Sequence, residues 1–466
     1  MEENTPTISL VSCMHFVRRG VAKEVPEKIE LTEKELEKII KQTAHELRLT
    51  EQGEDVSDEE AEAGPSTVRP PPQNPEDEFD FEKYDEEESS NPVGIGTVAT
   101  VPNLGDLGEN VQIRTDGPDS DEEDDIIKPN DNLLLVGHVE SDASVLEVYI
   151  FNKEEDSFYV HHDIVLPWFP LCIEWLSHDP SDTKPGNLCA LGGMDPVIQV
   201  WDLDIENCLE PAFKLGRKPN KKKKSKRVGH KNAVLDMSWN RNFPHVLASG
   251  SSDNTVLLWD LDQGTPHTKL DYFQDKIQSL SFHAREPQTL LSGACDGAAR
   301  VSDCRDAAAH RAWCLGPEIE RVAWDPHNPY CFAMSNNEGR VAYVDVRNDQ
   351  PLWNFAAHDK EITGLILSEI PGLMVTVSTD GKLKTWDLQR SPPGQVSERT
   401  TRVGQALCAA ACPEAPYSVA LGGDNKECFI ETVDLATNEQ VTSCFGPRAA
   451  ARSAATPPAA GDAMET

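Results

Sequence analysis

The chain has no apolar stretch near the roughly 18 residues that a membrane-spanning helix needs. It begins with the acidic MEENTPT instead of a cationic segment followed by an apolar run, so no secretory signal is predicted. Its 12 cysteines form no CxxC pair and no Cys/His cluster with zinc spacing, and we expect them to be small apolar side chains in a reducing compartment. These absences predict a cytosolic or nuclear protein with no membrane segment, metal or cofactor.

Signatures of catalysis are also missing. The sequence contains no phosphate-binding glycine loop and no nucleophile elbow. The run His-His-Asp at 161–163 ends a predicted strand without companion cysteines or carboxylates, and we interpret it as a surface cluster instead of a metal or proton-transfer site. The sequence therefore predicts a protein that is not an enzyme.

Positive charge is scarce, since 43 Lys and Arg stand against 80 Asp and Glu, for a net charge of −37. The excess is local, because residues 51–125 hold 25 acidic and 3 basic residues. Such a segment cannot bury enough apolar surface to fold, so residues 50–128 are predicted to be a disordered acidic linker. Within it Ser57 and Ser120 precede carboxylates and are candidate phosphosites. The small-residue segment 447–466 is predicted to be a disordered tail.

The rest of the chain is periodic. Short apolar runs separated by turns end in Trp-Asp or a variant of it, at Phe151-Asn152, Trp201-Asp202, Trp259-Asp260, Ser302-Asp303, Val344-Asp345, Trp386-Asp387 and Val433-Asp434. The intervals are 50, 58, 43, 42, 42 and 47 residues. A period near 42 residues with strand-turn-strand content is typical of β-propeller blades of four strands each. We therefore predict an all-β fold in which residues 129–446 form a seven-bladed WD-repeat β-propeller.

Two repeats carry polar residues at the spacing of a hydrogen-bond chain found in WD-repeat blades. The chain joins a histidine, a hydroxyl residue, an aspartate and the tryptophan of the third strand. The two sets are His230, Ser249, Asp253 and Trp259, and His358, Thr376, Asp380 and Trp386. Because buried polar groups must be satisfied, each set is predicted to fix strand register and not to catalyse or bind metal.

The innermost strands share apolar residues at positions i, i+3 and i+5, as at Val234, Met237 and Trp239. The first repeat lacks such a strand, but VSCMHFV near the N-terminus has the pattern, so residues 7–17 are predicted to be the inner strand of blade one. The intervening segment is then an insertion. Its residues 30–49 have a capping box and an apolar stripe, which predicts a helix that packs on the propeller or in a groove of another protein.

One dense cationic block lies in the 58-residue interval, which exceeds the period by about sixteen residues. The block is predicted to be a loop, residues 216–228, between the outermost strand of blade two and the innermost strand of blade three. Its cations are Arg217, Lys218, Lys221, Lys222, Lys223, Lys224, Lys226 and Arg227. Three compatible roles remain open: a nuclear localisation signal, a phosphate contact on ribosomal RNA or DNA, and docking on the chain's own acidic linker. No aromatic residue interleaves with the lysines to stack on bases.

Several segments outside the generic repeat resemble the periodic tryptophan protein 1 family of nuclear and nucleolar WD-repeat proteins. They are RRGVAKEVPEKIELTEKELEKII, DIIKPNDNLLLVGHVE, LEVYIFNKEEDSFYVHHDIVL, and VIQVWDLDIENCLEP followed by the lysine run. The resemblance implies a scaffold in ribosome biogenesis, with roles in ribosomal RNA transcription by RNA polymerase I, chromatin association and large-subunit precursor assembly. It implies a nuclear, nucleolar and chromosome-associated protein, monomeric within a larger complex of pre-ribosomal or polymerase I-associated proteins and histones.

Two alternatives stay open. VDVR at 344–347 and SDCR at 302–305 resemble the WD-x-Arg ends by which propellers of cullin ubiquitin ligases dock their adaptor, although both lack the tryptophan. The protein would then be a substrate receptor of such a ligase. A reader of histone tails is the second alternative, for which the sequence offers no recognisable aromatic cage.

Overall fold

The structure, a computed structural model, describes residues 9–29, 126–141, 143–219, 225–306 and 308–455. The chain divides into two units, residues 1–30 with 119–466 and residues 31–118, and the second unit lies outside the described residues. The predicted helix at 30–49, nearly all of the predicted acidic linker and the candidate phosphosites Ser57 and Ser120 also lie outside them.

Seven antiparallel sheets form the blades, so the predicted all-β, seven-bladed propeller is confirmed. Blades one and two and a small parallel pair, β2 with β9, are built from β1 (Ser9–Val17), β2 (Glu27–Lys28), β3 (Asn132–Glu140), β4 (Ala143–Asn152), β5 (Ser157–Leu166), β6 (Pro170–Leu176), β7 (Leu188–Gly193), β8 (Ile198–Asp202), β9 (Ile205–Glu206) and β10 (Phe213–Leu215).

The later blades follow the chain without interruption. Blades three to five consist of β11 (Val234–Trp239), β12 (Val246–Ser251), β13 (Val256–Asp260), β14 (Thr265–Leu270), β15 (Ile277–Phe282), β16 (Thr289–Ala294), β17 (Ala298–Asp303), β18 (His310–Cys314), β19 (Ile319–Trp324), β20 (Cys331–Asn336), β21 (Arg340–Asp345) and β22 (Trp353–Ala356). Blades six and seven consist of β23 (Ile362–Leu367), β24 (Leu373–Ser378), β25 (Lys382–Asp387), β26 (Gly394–Thr400), β27 (Ala406–Ala411), β28 (Ser418–Gly423) and β29 (Ile430–Asp434).

The N-terminal strand closes the ring. β1 pairs antiparallel with β3, placing Val11 opposite His138 and Phe16 opposite Leu134, which is where the VSCMHFV pattern predicts an inner strand. β1 also packs against β6 of blade two and β27 of blade seven. Gly422 of blade seven is required by this contact, because a Cβ there would lie 2.4 Å from Cγ1 of Val11. Blades one and seven are therefore joined through β1, which lies more than a hundred residues before β3, its neighbour in blade one, in the sequence.

Side chains of the inner strands also fasten each blade to the next. Glu174 of β6 accepts the N–H of Trp239 at 3.1 Å, and Asp236 of β11 accepts the N–H of Leu280 at 2.6 Å. The bonds that continue around the ring join Ser279 Oγ to the N–H of Val322, Arg321 Nε to the carbonyl of Thr363, Thr363 Oγ1 to the carbonyl of Ala406, and Cys408 Sγ to the carbonyl of Val11. These contacts satisfy polar groups in the interior of the ring and fix the blades against one another.

A C-terminal helix, α1 (Glu439–Ala455), follows a short 3-10 helix at Leu435–Thr437. Val441 and Phe445 of α1 are fully buried in the apolar cluster of blades six and seven. One turn later Arg448 donates to both carboxylate oxygens of Asp387 at 2.7 and 2.9 Å. The helix is thus part of the folded unit.

The prediction of a disordered tail from residue 447 is therefore wrong for residues 447–455, while residues 456–466 lie outside the described ranges. Gly446 and Pro447 within the helix argue against a helix in isolation, but burial of Val441 and Phe445 outweighs their low propensity. Among the described residues, no helix is long and apolar enough to cross a membrane.

Candidate nucleic-acid interface

The cationic block leaves the propeller as a hairpin between β10 and β11. At its base the N–H of Arg217 donates to the carbonyl of Val228 at 2.7 Å, and the N–H of Val228 donates to the carbonyl of Arg217 at 3.0 Å. The base lies at the position predicted from the long repeat interval. Residues 220–224, which include the predicted contact residues Lys221, Lys222, Lys223 and Lys224, lie outside the described residues.

Two glycines set the hairpin base directly on a buried indole ring. Gly216 and Gly229 have φ values of +96° and +94°, which favour glycine. A Cβ on Gly229 would lie only 2.6 Å from Cη2 of Trp259, so no side chain fits there. This contact explains why the lysine run ends on a Gly-His pair: the backbone must pass over the tryptophan of blade three. The two ends of the block therefore meet at a packed base.

Trp259 belongs to the hydrogen-bond chain predicted for blade three. Its Nε1 donates to Ser249 Oγ at 2.7 Å, and Ser249 Oγ lies 2.7 Å from Nε2 of His230. Nδ1 of His230 lies 3.3 Å from both carboxylate oxygens of Asp253. Because a carboxylate only accepts, Nδ1 donates, and Nε2 of a neutral imidazole then accepts from the serine hydroxyl. The structure thus brings all four predicted residues together in one buried chain.

Sequence reasoning missed Thr255, whose hydroxyl donates to Asp253 at 2.6 Å. Its signal was a hydroxyl residue two positions after the aspartate. Burial opposes ionisation of Asp253, but hydrogen bonds from His230, Thr255 and the backbone N–H of Lys231 outweigh it and hold the pKa of Asp253 below its ordinary value. The aspartate is therefore a fixed negative charge that orients His230 beside the hairpin base.

Blade six holds the second predicted set in the same arrangement. Nε1 of Trp386 donates to Thr376 Oγ1 at 2.9 Å, and Thr376 Oγ1 lies 2.8 Å from Nε2 of His358. Nδ1 of His358 lies 3.0 Å from Asp380 Oδ2, and burial lowers the pKa of His358. Both sets thus form buried hydrogen-bond chains of the same geometry, and their structural role stays a prediction.

The described cations of the block fall into two groups. Lys218 Nζ lies 2.5 Å from Asp195 Oδ2 of blade two, and Arg227 donates to the carbonyl oxygens of His230 and Lys231 at 3.3 and 2.9 Å. These two cations brace the hairpin base. Arg217 and Lys226 are exposed beside it. A compact set of cations on a fixed base can bind phosphate groups without reading base sequence.

The arginines of the adaptor-docking pattern lie exposed after the third strands of blades four and five. Arg305 pairs with Asp303, and Arg347 pairs with Asp345, each at 2.6 Å. The Arg347 guanidinium also lies over the ring of Tyr330, 4.6 Å from its centroid. Each arginine is thus held by its own blade, and adaptor docking stays a prediction.

The His-His-Asp run is not a surface cluster, and that interpretation is wrong. The side chain of His161 is 1% exposed and His162 is 8% exposed, whereas Asp163 is exposed. Both histidines lie on β5 beside Glu206 of β9. Burial, reinforced by His161, lowers the pKa of His162 to about 4. The imidazole of His162 is therefore neutral at physiological pH.

Comparison with known proteins gives one family and several relatives. Residues 222–260 match the family described as WD domain, G-beta repeat. The chain is 44% identical over 439 residues to the periodic tryptophan protein 1 homolog of Drosophila melanogaster, covering 90% of this chain and 93% of the relative. It is 30% identical over 524 residues to periodic tryptophan protein 1 of Saccharomyces cerevisiae, covering 94% and 90%. An uncharacterised WD repeat-containing protein of Schizosaccharomyces pombe is 33% identical over 476 residues, with 95% and 92% covered.

Proposed function

The chain belongs to the periodic tryptophan protein 1 family, and from this membership we propose that it is a non-catalytic nuclear and nucleolar scaffold in ribosome biogenesis. Its proposed work is in ribosomal RNA transcription by RNA polymerase I, in chromatin association and in assembly of large-subunit precursors. The fold supports a scaffold, because a propeller presents its loops and rim as binding surfaces. The proposed partners are pre-ribosomal and polymerase I-associated proteins, histones, and ribosomal RNA or DNA.

The observation that carries the proposal is the cationic block on its packed base. A chain with a net charge of −37 repels polyanions at long range. Salt screens this repulsion beyond about 8 Å at physiological ionic strength, so a local block of cations still binds phosphate. Anchoring to Trp259 and Asp195 holds both ends of the block at blades two and three, which supports a phosphate contact there.

The test is crosslinking of the full-length protein to RNA and proteins in nuclei. One variant changes Lys221, Lys222, Lys223 and Lys224 to Gln, and its matched control changes the same four residues to Arg. Both carry an appended nuclear localisation signal, so that loss of import does not mimic loss of binding. We expect the Gln variant to lose crosslinks to ribosomal RNA precursors and the Arg variant to retain them.

Salt dependence of binding to purified ribosomal RNA gives a second measurement. Each neutralised phosphate of a single strand contributes about 0.7 to the slope of log affinity against log salt. The Gln variant should therefore lose about 3 from that slope, and the Arg variant should keep it. Equal crosslinking and equal slopes for both variants would show that Lys221, Lys222, Lys223 and Lys224 do not contact RNA through their charges.

Recovered proteins separate the scaffold from the ubiquitin-ligase alternative. Pre-ribosomal and polymerase I components in the pulldown support the scaffold. An adaptor and a cullin, lost on substitution of Arg347, would instead identify a ligase substrate receptor. Binding of isolated histone tails without ribosomal components would favour the histone reader.

A further inference from the structure

A β-bulge turns two consecutive histidines of blade one toward the same place. In a regular strand neighbouring side chains point to opposite faces. Here Val148 pairs with His162 and Tyr149 pairs with Val160, so His161 is the extra residue of a bulge. The Nδ1 atoms of His161 and His162 lie 2.9 Å apart. A bulge changes the direction in which side chains point. Here it brings the imidazoles of His161 and His162 together, where a regular strand would bury only one of them.

A carboxylate completes the cluster. Glu206 lies on β9, and its Oε1 is 3.8 Å from Nδ1 of His161. One donor atom from each of the three residues lies within 4.8 Å of the other two. Oε2 of Glu206 is 3.5 Å from Nζ of Lys28, the β2 residue whose strand pairs with β9, so one carboxylate oxygen faces Lys28 and the other faces the histidines.

Two of these buried polar atoms have no hydrogen-bond partner. They are Nε2 of His162 and Oε1 of Glu206, in residues that are 8% and 7% exposed. A buried polar group without a partner costs about 1–3 kcal/mol, and more when it is charged. A bound cation would pair with the carboxylate of Glu206 and accept a nitrogen lone pair from each imidazole.

We propose that His161, His162 and Glu206 bind one Zn²⁺ ion, with a water molecule in the fourth position. Two imidazoles and one carboxylate are a donor set that zinc accepts. The nitrogen donors are Nδ1 of His161 and Nδ1 of His162, and the carboxylate donor is Oε1 of Glu206. Two nitrogen ligands on a tetrahedral zinc lie roughly 3.3 Å apart, so the two Nδ1 atoms, now 2.9 Å apart, need only a small adjustment.

The ion fastens β5, the outer strand of blade one, to the β2–β9 pair. β2 ends at Lys28, next to the end of the described range at residue 29, so the site fastens this N-terminal range to blade one. Binding of metal is then coupled to stability, because the unfolded chain has no preformed site.

Cobalt titration of the full-length protein tests the proposal. The acidic residues 51–125 also attract divalent cations, so stoichiometry alone does not decide the question. Four-coordinate Co²⁺ with nitrogen ligands absorbs strongly in the visible range, whereas Co²⁺ held by carboxylates and water absorbs weakly. After treatment with a chelator we expect one equivalent of Co²⁺ to give the strong band, and Zn²⁺ to displace it and to raise the melting temperature.

Variants assign the signal to the cluster. His162→Asn and Glu206→Gln should each abolish the band and the zinc-induced rise in melting temperature. Their metal-free melting temperatures should stay close to that of the metal-free parent, which shows that the fold persists. His178→Asn is the matched control, since this histidine pairs with Asp262 on the surface. Absence of the strong band in the parent, or an unchanged band in His162→Asn, overturns the proposal and leaves a cluster filled by buried water.

Discussion

The hydroxyl group of Thr376 connects two other members of the hydrogen-bond chain in blade six. It is fully buried, accepts from Nε1 of Trp386 and contacts Nε2 of His358. Thr376→Val keeps the shape of the side chain but leaves both nitrogens without a partner. Each such buried group costs about 1–3 kcal/mol, so we expect a loss of about 2–6 kcal/mol in the free energy of unfolding, measured with urea.

The matched variant is Thr376→Ser, which keeps the hydroxyl and removes one methyl group. Loss of a buried methyl costs about 1 kcal/mol. Equal losses in the Val and Ser variants would mean that packing, and not the hydrogen-bond chain, accounts for the role of Thr376 in blade six.

Glu174 should make the stability of the protein depend on pH, because this carboxyl group is largely buried inside the ring. Its Oε1 accepts the N–H of Trp239, and its Oε2 lies 3.7 Å from Nδ1 of His15. Burial raises the pKa of Glu174 from 4.5 to about 7, although the Trp239 hydrogen bond opposes the rise. Between these values the folded protein holds more protons than the unfolded protein, so this group lowers stability as the pH rises from 4.5 to 7.

Glu174→Gln removes the titration and keeps a carbonyl that accepts from Trp239. We expect the variant to gain stability over the parent as the pH rises through this range, reaching on the order of 1–3 kcal/mol at pH about 7.5. Urea unfolding of both proteins at several pH values measures the difference. A difference that is the same at the two ends of the range would contradict the burial of an ionising group at this position.

Among the secondary-structure elements, the helix α1 packs on the propeller through one aromatic side chain. Phe445 is fully buried among residues of blades six and seven. Phe445→Ala should cost about 3–5 kcal/mol, the usual range for a fully buried aromatic side chain, and should lower the melting temperature. Phe445→Leu, which keeps most of the apolar volume, should cost less than half as much. If both variants melt like the parent, α1 does not contribute to the stability of the propeller.

The sequence predicts strands and blades better than it predicts this helix. A Trp-Asp ending or a variant of it recurs once per blade, and even a distant inner strand at residues 7–17 carries the apolar offsets of the other inner strands. For α1 the local signals point the other way, because Gly446 and Pro447 disfavour a helix and the segment has no obvious amphipathic face. Burial of Val441 and Phe445 against other blades decides the structure, and that information is not local.

The same limit applies to the histidine cluster. Whether His161 and His162 face one way depends on a register shift between β4 and β5, which is a property of the pairing and not of either strand. Glu206 joins them from β9, a two-residue strand that pairs with β2. By contrast, the hydrogen-bond chains of blades three and six were predictable, since their members have fixed spacing within a single blade.

For the whole molecule, closure of the ring depends on a strand separated from its blade by a long insertion. β1 is hydrogen-bonded to β3 and packed against β6 and β27. The described part of blade seven has three strands, so no outer strand from the N-terminus joins it there. The noncovalent contacts of β1, together with direct contacts such as that of Lys153 with Asp434 at 2.9 Å, should therefore hold the two ends of the propeller together.

A protease site introduced within residues 31–118 tests this. After cleavage, the N-terminal fragment should stay bound to the rest of the chain and co-elute with it in size-exclusion chromatography, with a melting temperature close to that of the uncut protein. Val11→Asp places a charge where Val11 packs against Gly422, so the cleaved variant should release its N-terminal fragment. Uncut Val11→Asp serves as the control, because its tether keeps β1 at high local concentration. Release of the fragment from the cleaved parent protein would show that the covalent connection, and not the packing of β1, closes the ring.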